Sequence, residues 1–143
     1  LRSVIEAFRI LAVKGRPLCV RFVTDSNYIV RGMSDWVHGW VARGWKRKTG
    51  DIENLELWKA AAKAVETFEV EWKWVAGHRG HPQNEYANFL AIRAARALSN
   101  SGGAVESGFE QWVEAQRAAG RMQSDTDAFP DPKDFRPARS LPR

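Results

Sequence analysis

Leu1, Val4, Ile5, Phe8, Leu11 and Ala12 recur at three- and four-residue intervals, with Glu6 on the opposite face. That stripe predicts a helix ending near Gly15, with Pro17 beyond it as a stop. Cys19-Val20-Arg21-Phe22-Val23 then suits a strand and stops abruptly at Thr24-Asp25-Ser26, which predicts a buried central strand over 20–25. A short helix follows from Ser26 to about Val30. In residues 34–48, Trp36 and Trp40 lie one helical turn apart, and glycines at 39, 44 and 50 mark a jointed, protruding element. A helix is predicted over 51–66, with Leu55, Trp58, Ala62 and Val65 inward and Glu56, Lys59 and Lys63 outward. Residues 68–75 alternate, placing Phe68, Val70, Trp72 and Trp74 on one face of a half-buried strand. A glycine-jointed loop then leads into a helix with Pro82 at its start. Its expected core face is Ala87, Leu90, Ala91, Ala94 and Leu98, with Asn88 on the flank.

After Ser99 the pattern changes. Ser-Asn-Ser-Gly-Gly reads as a linker, Phe109, Trp112, Val113 and Gln116 predict an amphipathic helix over 109–122, and the Asp/Ser/Pro-rich residues from Gln123 predict disorder. The expected organisation is thus a domain over 1–98 and an extension over 99–143.

Charge sharpens this division. The net charge is +5, yet residues 1–98 carry 16 Lys/Arg against 10 Asp/Glu, a net +6, and residues 99–143 carry 6 against 7, a net −1. A basic body points to a polyanionic partner. One cysteine excludes an internal disulfide and suggests a reducing compartment. No apolar run is long enough to span a bilayer and no signal-peptide pattern is present. The chain opens on Leu1, already inside a helical pattern, which suggests a start further upstream.

Three stretches carry candidate chemistry. Asp25 falls at the carboxyl end of a strand, where open α/β sheets place ligands, or else it caps the helix after it. In 34–48, Arg43, Lys46, Arg47 and Lys48 interleave with Trp36, Trp40 and Trp45. Cations on phosphates and rings against sugars or bases would suit nucleic acid; a surface helix with inward tryptophans and solvated cations would give the same pattern. Gly77-His78-Arg79-Gly80-His81 is not a packing pattern, and its glycines would give His78 the mobility that a proton shuttle or phosphate contact uses.

Taken together, Thr24-Asp25-Ser26-Asn27-Tyr28, the Trp36…Gly39-Trp40…Gly44-Trp45 segment, Asn54-Leu55-Glu56-Leu57-Trp58 and the run from Trp74 through Gly-His-Arg-Gly-His-Pro-Gln-Asn to Glu85 resemble type 1 ribonuclease H, in order, from Leu1 to about Leu98. The resemblance implies an α/β ribonuclease H-like fold, a mixed five-stranded sheet with helices on both faces. It implies an endonuclease that hydrolyses the RNA strand of RNA–DNA hybrids, leaves 5′-phosphates, and uses Mg²⁺, with Mn²⁺ as a substitute, on four acidic residues. Leu1 matches the residue just after the second acid, so the first three strands and two of the acids would lie upstream. A chain of this extent is expected to be inactive alone, poorly stable, and monomeric in the cytoplasm. The other two metal positions match Asp25 and Asn88, an amide where the family usually carries Asp. Glu6 faces away from the core and does not stand in. His78 matches a mobile loop histidine that assists proton transfer or product release, and Glu85 an acid near that loop. The hybrid-binding residues implied are Asn27, Asn54 and the basic protrusion Trp36, Trp40, Arg43, Trp45, Lys46, Arg47 and Lys48; Tyr28 reads as packing. The main rival is a binding module for hybrid or duplex that has lost catalysis, with Asn88 as its mark. A transposase- or integrase-like nuclease and a purely structural protein account for less of the pattern.

Overall fold

The computed structural model describes residues 1–141. The chain divides into two compact units. The first comprises 1–22, 26–74 and the residues from Pro130 on; the second comprises 23–25 and 75–129.

In the first unit, helix α1 (Arg2–Ala12) buries Val4 and Phe8, the centre of the predicted stripe. Strand β1 (Cys19–Thr24) is hydrogen-bonded to β2 (Glu69–Trp74) in a two-stranded sheet. Glu69 N–H donates to Leu18 O at 3.2 Å and Val75 N–H to Thr24 O at 3.0 Å, so the strands are parallel. The expectation of a buried central strand needs correction, because β1 is half-buried and Cys19 is exposed. The alternation explains it: Val20 and Phe22 face the helices, while Arg21 faces the other way and forms a two-bond pair with Glu71 at 2.8 and 3.2 Å. The Phe8 ring lies 6.0 Å from Phe22, 5.1 Å from Phe68 and 6.1 Å from Trp72, closing α1 onto the pair. Burying a ring such as that of Phe8 contributes about 1.5–3 kcal/mol.

Helix α2 (Asn27–Arg31) runs without a break through a π-helical turn (Gly32–Trp36) into α3 (Val37–Ala42). The residue type at 32 is dictated by packing: a β-carbon there would lie 1.9 Å from Trp58 Cη2. Trp58 is fully buried, and its indole N–H donates to the Tyr28 hydroxyl at 3.1 Å.

Helix α4 (Leu55–Val65) begins four residues later than the predicted Asp51. Asn54 adopts φ +56°, a left-handed conformation that Asn tolerates and an α-helix does not propagate. Trp58, Ala61, Ala62 and Val65 form the buried face.

His38 is the one buried polar side chain among the described residues, 2% exposed, and neither ring nitrogen has a partner there. It lines a cavity of about 190 Å³ together with Met33, Trp72 and the segment 137–141. That space is enough for water to satisfy the ring.

In the second unit, helix α5 (Pro82–Ala97) packs on α6 (Phe109–Ala118) through Tyr86 and Phe89 against Phe109 and Trp112, at centroid separations of 5.2–5.8 Å for the interhelical pairs. The predicted core face of α5 is therefore not the one that α6 covers: Ala87, Leu90, Ala91 and Leu98 are exposed and Ala94 half-buried. Periodicity finds an apolar face; which face is covered depends on what packs there. Helix α6 stops at Ala118 rather than Met122, because Gly120 turns to φ +68° and Arg121 N–H bonds back to Gln116 O at 2.9 Å. Residues 123–141 hold no helix or strand, and they make specific contacts: Asp127 with His81 and Gln83 in the second unit, Ala138 with Val70 in the first.

Candidate active site

Asp25 directly follows β1 and is exposed. It is not the cap of α2. That position is Ser26, whose Oγ accepts from Ile29 N–H at 3.3 Å, so the helix start gives no reason for a carboxylate at 25. Asp25 packs against the backbone of Gly77, where a β-carbon would lie 2.7 Å from Oδ2. Its Oδ2 also accepts from Asn84 Nδ2 at 3.5 Å. The strand end and the start of α5 thus meet at one carboxylate.

Between them lies the glycine-jointed loop. His78 is exposed at φ +54° and Gly80 holds φ +75°. Two left-handed residues so close together make a tight reversal that lifts the imidazole into solvent. His81 then caps α5: its Nδ1 accepts from Asn84 N–H at 3.3 Å, and Pro82 occupies the first turn, where no amide is needed. Glu85 follows in that turn and Asn88 one turn on, both half-buried, on neighbouring rows of the helix. Asp25, His78, Glu85 and Asn88 all belong to the second unit, where Asn84 of α5 contacts Asp25. Sequence reasoning missed Asn84, which touches Asp25, and His81, the cap. The His-Pro pair ahead of a helical pattern was the available signal for the cap.

In the first unit, Trp36, Trp40 and Trp45 are half-buried and join the core. Trp36 and Trp40 lie 6.3 and 5.6 Å from Trp58, and Tyr28 sits 5.6 Å from Trp36. Arg31 stacks over the Trp36 ring at 5.6 Å. The cations stay outside: Arg43, Lys46, Arg47 and Lys48 are all exposed. Arg43 Nε donates to Lys46 O at 3.2 Å and Arg47 to Asp51 O at 3.3 Å, bonds that shape the loop. Successive positive φ at Gly44 (+63°) and Trp45 (+62°) fold that loop back on α3. Tyr28, Trp36, Trp40, Arg43 and Arg47 line a groove of about 500 Å³. Asn27 and Asn54 are exposed at the starts of α2 and α4.

Hard divalent cations need several oxygen donors, most of them charged. Among the described residues no group of three His, Cys, Asp or Glu is placed to hold a metal. Asp25 with the neutral Asn88 amide does not by itself make such a site.

The family pattern described as RNase H matches residues 1–96. A ribonuclease H of Cupriavidus metallidurans is 45% identical over 102 residues, covering 69% of this chain and 67% of that protein. One of Ralstonia nicotianae is 50% identical over 108 residues, covering 71% and 68%. A crystal structure described as a type 1 RNase H with the type 2 active-site motif superposes with a TM-score of 0.87 at 56% identity. It covers 99% of this chain and 66% of its own, so the extension beyond residue 98 has a counterpart in a solved relative. The chain spans about two thirds of the length of these relatives. Family proteins of this kind cleave RNA in RNA–DNA hybrids with divalent metals. A carboxylate at the end of β1, a glycine-jointed histidine loop and the family pattern across two thirds of the sequence agree: the chain belongs to the ribonuclease H family.

Proposed function

We propose that these residues form the hybrid-binding and distal catalytic part of a ribonuclease H acting on RNA–DNA hybrids with Mg²⁺, as a monomer in the cytoplasm. The observation that carries the reading is Asp25, held at the end of β1 against Gly77 and against Asn84, on the helix that also carries Glu85 and Asn88. Together with the two other acidic positions, Asp25 and Asn88 would hold a divalent metal that activates water; His78 is the proton-transfer group and Glu85 a neighbouring acid. Arg43, Lys46, Arg47 and Lys48 meet phosphates; Trp36, Trp40 and Trp45 set the shape of the surface that carries them, and Asn27 and Asn54 flank it. Among the described residues no helix is long and apolar enough to cross a membrane.

Asn88 favours one second reading, a binding module without catalysis. A solved relative whose active-site motif departs from its own type weighs towards an amide that functions there.

The test is cleavage of an end-labelled RNA–DNA hybrid in Mg²⁺, with duplex DNA as control. The 143-residue chain is compared with the same chain joined to a relative's segment supplying the two other acidic positions. The expected result is binding by both and cleavage by the joined protein only. Binding by both with cleavage by neither establishes the binding module.

A further inference from the structure

The extension beyond residue 98 reaches the helix start beside the candidate active site through Asp127. Its Oδ2 lies 3.3 Å from His81 Nε2. The other ring nitrogen, Nδ1, already accepts the Asn84 backbone N–H. A neutral ring whose Nδ1 lone pair is used carries its proton on Nε2, so His81 donates to Asp127. The contact is doubled beside it: Gln83 Nε2 donates to the Asp127 carbonyl at 2.7 Å, and Asp127 N–H donates to Gln83 Oε1 at 3.4 Å. The strap is tied at its near end as well, since Arg117 on α6 donates to Ser124 O at 3.2 Å and to Thr126 Oγ1 at 3.4 Å. Helix α6 in turn is fixed to α5 by the Tyr86, Phe89, Phe109 and Trp112 rings. The loop of contacts is closed.

We propose that Asp127 is a positioning residue for the site: it fixes the His81 tautomer, His81 caps α5 through Asn84, and Asn84 orients the Asp25 carboxylate. A carboxylate that selects one histidine tautomer, which then places a functional group, is a general device for holding site geometry. Residues 124–127, outside the family pattern that ends at 96, thereby belong to the site's machinery. The proposal rests on reading Asp25 as a site carboxylate.

The experiment is NMR on the full 143-residue chain, isotope-labelled, with no metal and no nucleic acid. At pH 7.5 the His81 ring is expected in the Nε2–H tautomer. In Asp127→Ala the ring samples both tautomers, and Asn84 amide exchange rises about tenfold, the factor one hydrogen bond of ordinary net strength supplies. The Asn84 side-chain amide signals shift with it. Asp127→Asn keeps an acceptor for His81 and restores all three signals. Gln83→Ala frees the strap's backbone and is expected to raise Asn84 exchange severalfold, which keeps the test open if Asp127→Ala fails to fold. An Nδ1–H tautomer in the parent chain, unchanged Asn84 signals in Asp127→Ala, or no rescue by Asp127→Asn would overturn the proposal. Hybrid cleavage is a separate assay: a chain that shows the His81 signature but never cleaves when joined to the other acids refutes the catalytic reading and leaves the strap intact.

Discussion

A β-carbon on Gly77 would stand 2.7 Å from Asp25 Oδ2 and 3.2 Å from Asp25 Cβ, so the carboxylate keeps its place because residue 77 has no side chain. Gly77→Ala is expected to rotate the Asp25 side chain with little change in Tm. A displacement of about 1 Å at a reacting group costs on the order of a hundredfold in rate. Cleavage by the chain joined to the other acidic positions should fall by about ten- to a hundredfold in kcat at saturating hybrid, with KM little changed. Equal kcat in parent and variant would remove Asp25 from the chemistry.

Gly32→Ala tests packing instead. Its methyl overlaps the six-membered ring of Trp58, which the core holds on every side. Overpacking of this kind costs about 1–3 kcal/mol. Urea unfolding should show that loss, and Trp58 fluorescence should change in the folded state.

His38 makes stability depend on pH. Burial lowers its pKa below the ordinary histidine value of 6.5, Arg139 lowers it further, and Asp35 opposes both. The unfolded chain therefore binds the proton more readily than the folded one. Stability is complete above about pH 6.5 and falls as pH drops through and below that value. Tm measured from pH 7.5 down to 5 should decline, and His38→Leu should flatten that part of the profile. A parent Tm constant over the range would refute it.

The rings and the cations of the 36–48 segment should separate by assay. Trp36 packs on Trp58 and Trp40, so Trp36→Ala is expected to cost about 3 kcal/mol of stability. Lys46→Gln and Lys48→Gln, on exposed side chains, should leave stability unchanged. Each should weaken hybrid binding and reduce the steepness of its salt dependence by about one counterion. Unchanged salt slopes would place the hybrid on another face.

Much of this was legible in the residues. Val4 and Phe8 lie at the centre of the α1 stripe, and the 68–75 alternation marks β2, although the strand starts at Glu69 and Trp74, expected on its inner face, is 51% exposed. Thr24-Asp25-Ser26 marks a strand end, but sequence leaves Asp25 as site residue or helix cap, and the Ser26 bond to Ile29 N–H removes the second reading. What sequence could not give is what each face meets. The apolar positions of α5 suggested Leu90 and Leu98 as core, whereas α6 covers Tyr86 and Phe89. The tryptophans of the basic segment suit a nucleic-acid platform or inward packing, and the Trp58 ring beside Trp36 and Trp40 shows that they pack. The turn at Asn54 cost four residues of predicted helix, because a left-handed Asn leaves no mark in hydrophobic periodicity. Asp127 was unreadable for a deeper reason: its partners His81 and Gln83 lie more than forty positions away, across a stretch whose composition signals nothing.

The Ala138 contact has a consequence for solubility. Within β2, Glu69 bonds to the β1 side, so the next carbonyl, Val70 O, points to the opposite edge, where Ala138 N–H takes it at 2.7 Å. An open strand edge is a template on which a second molecule can add its own strand. The final segment, with Leu141 packed on the core, takes one of these acceptors from within the chain. Residues 138–141 thus shield part of the β2 edge from a strand of another molecule, and removing them would open that edge to solvent.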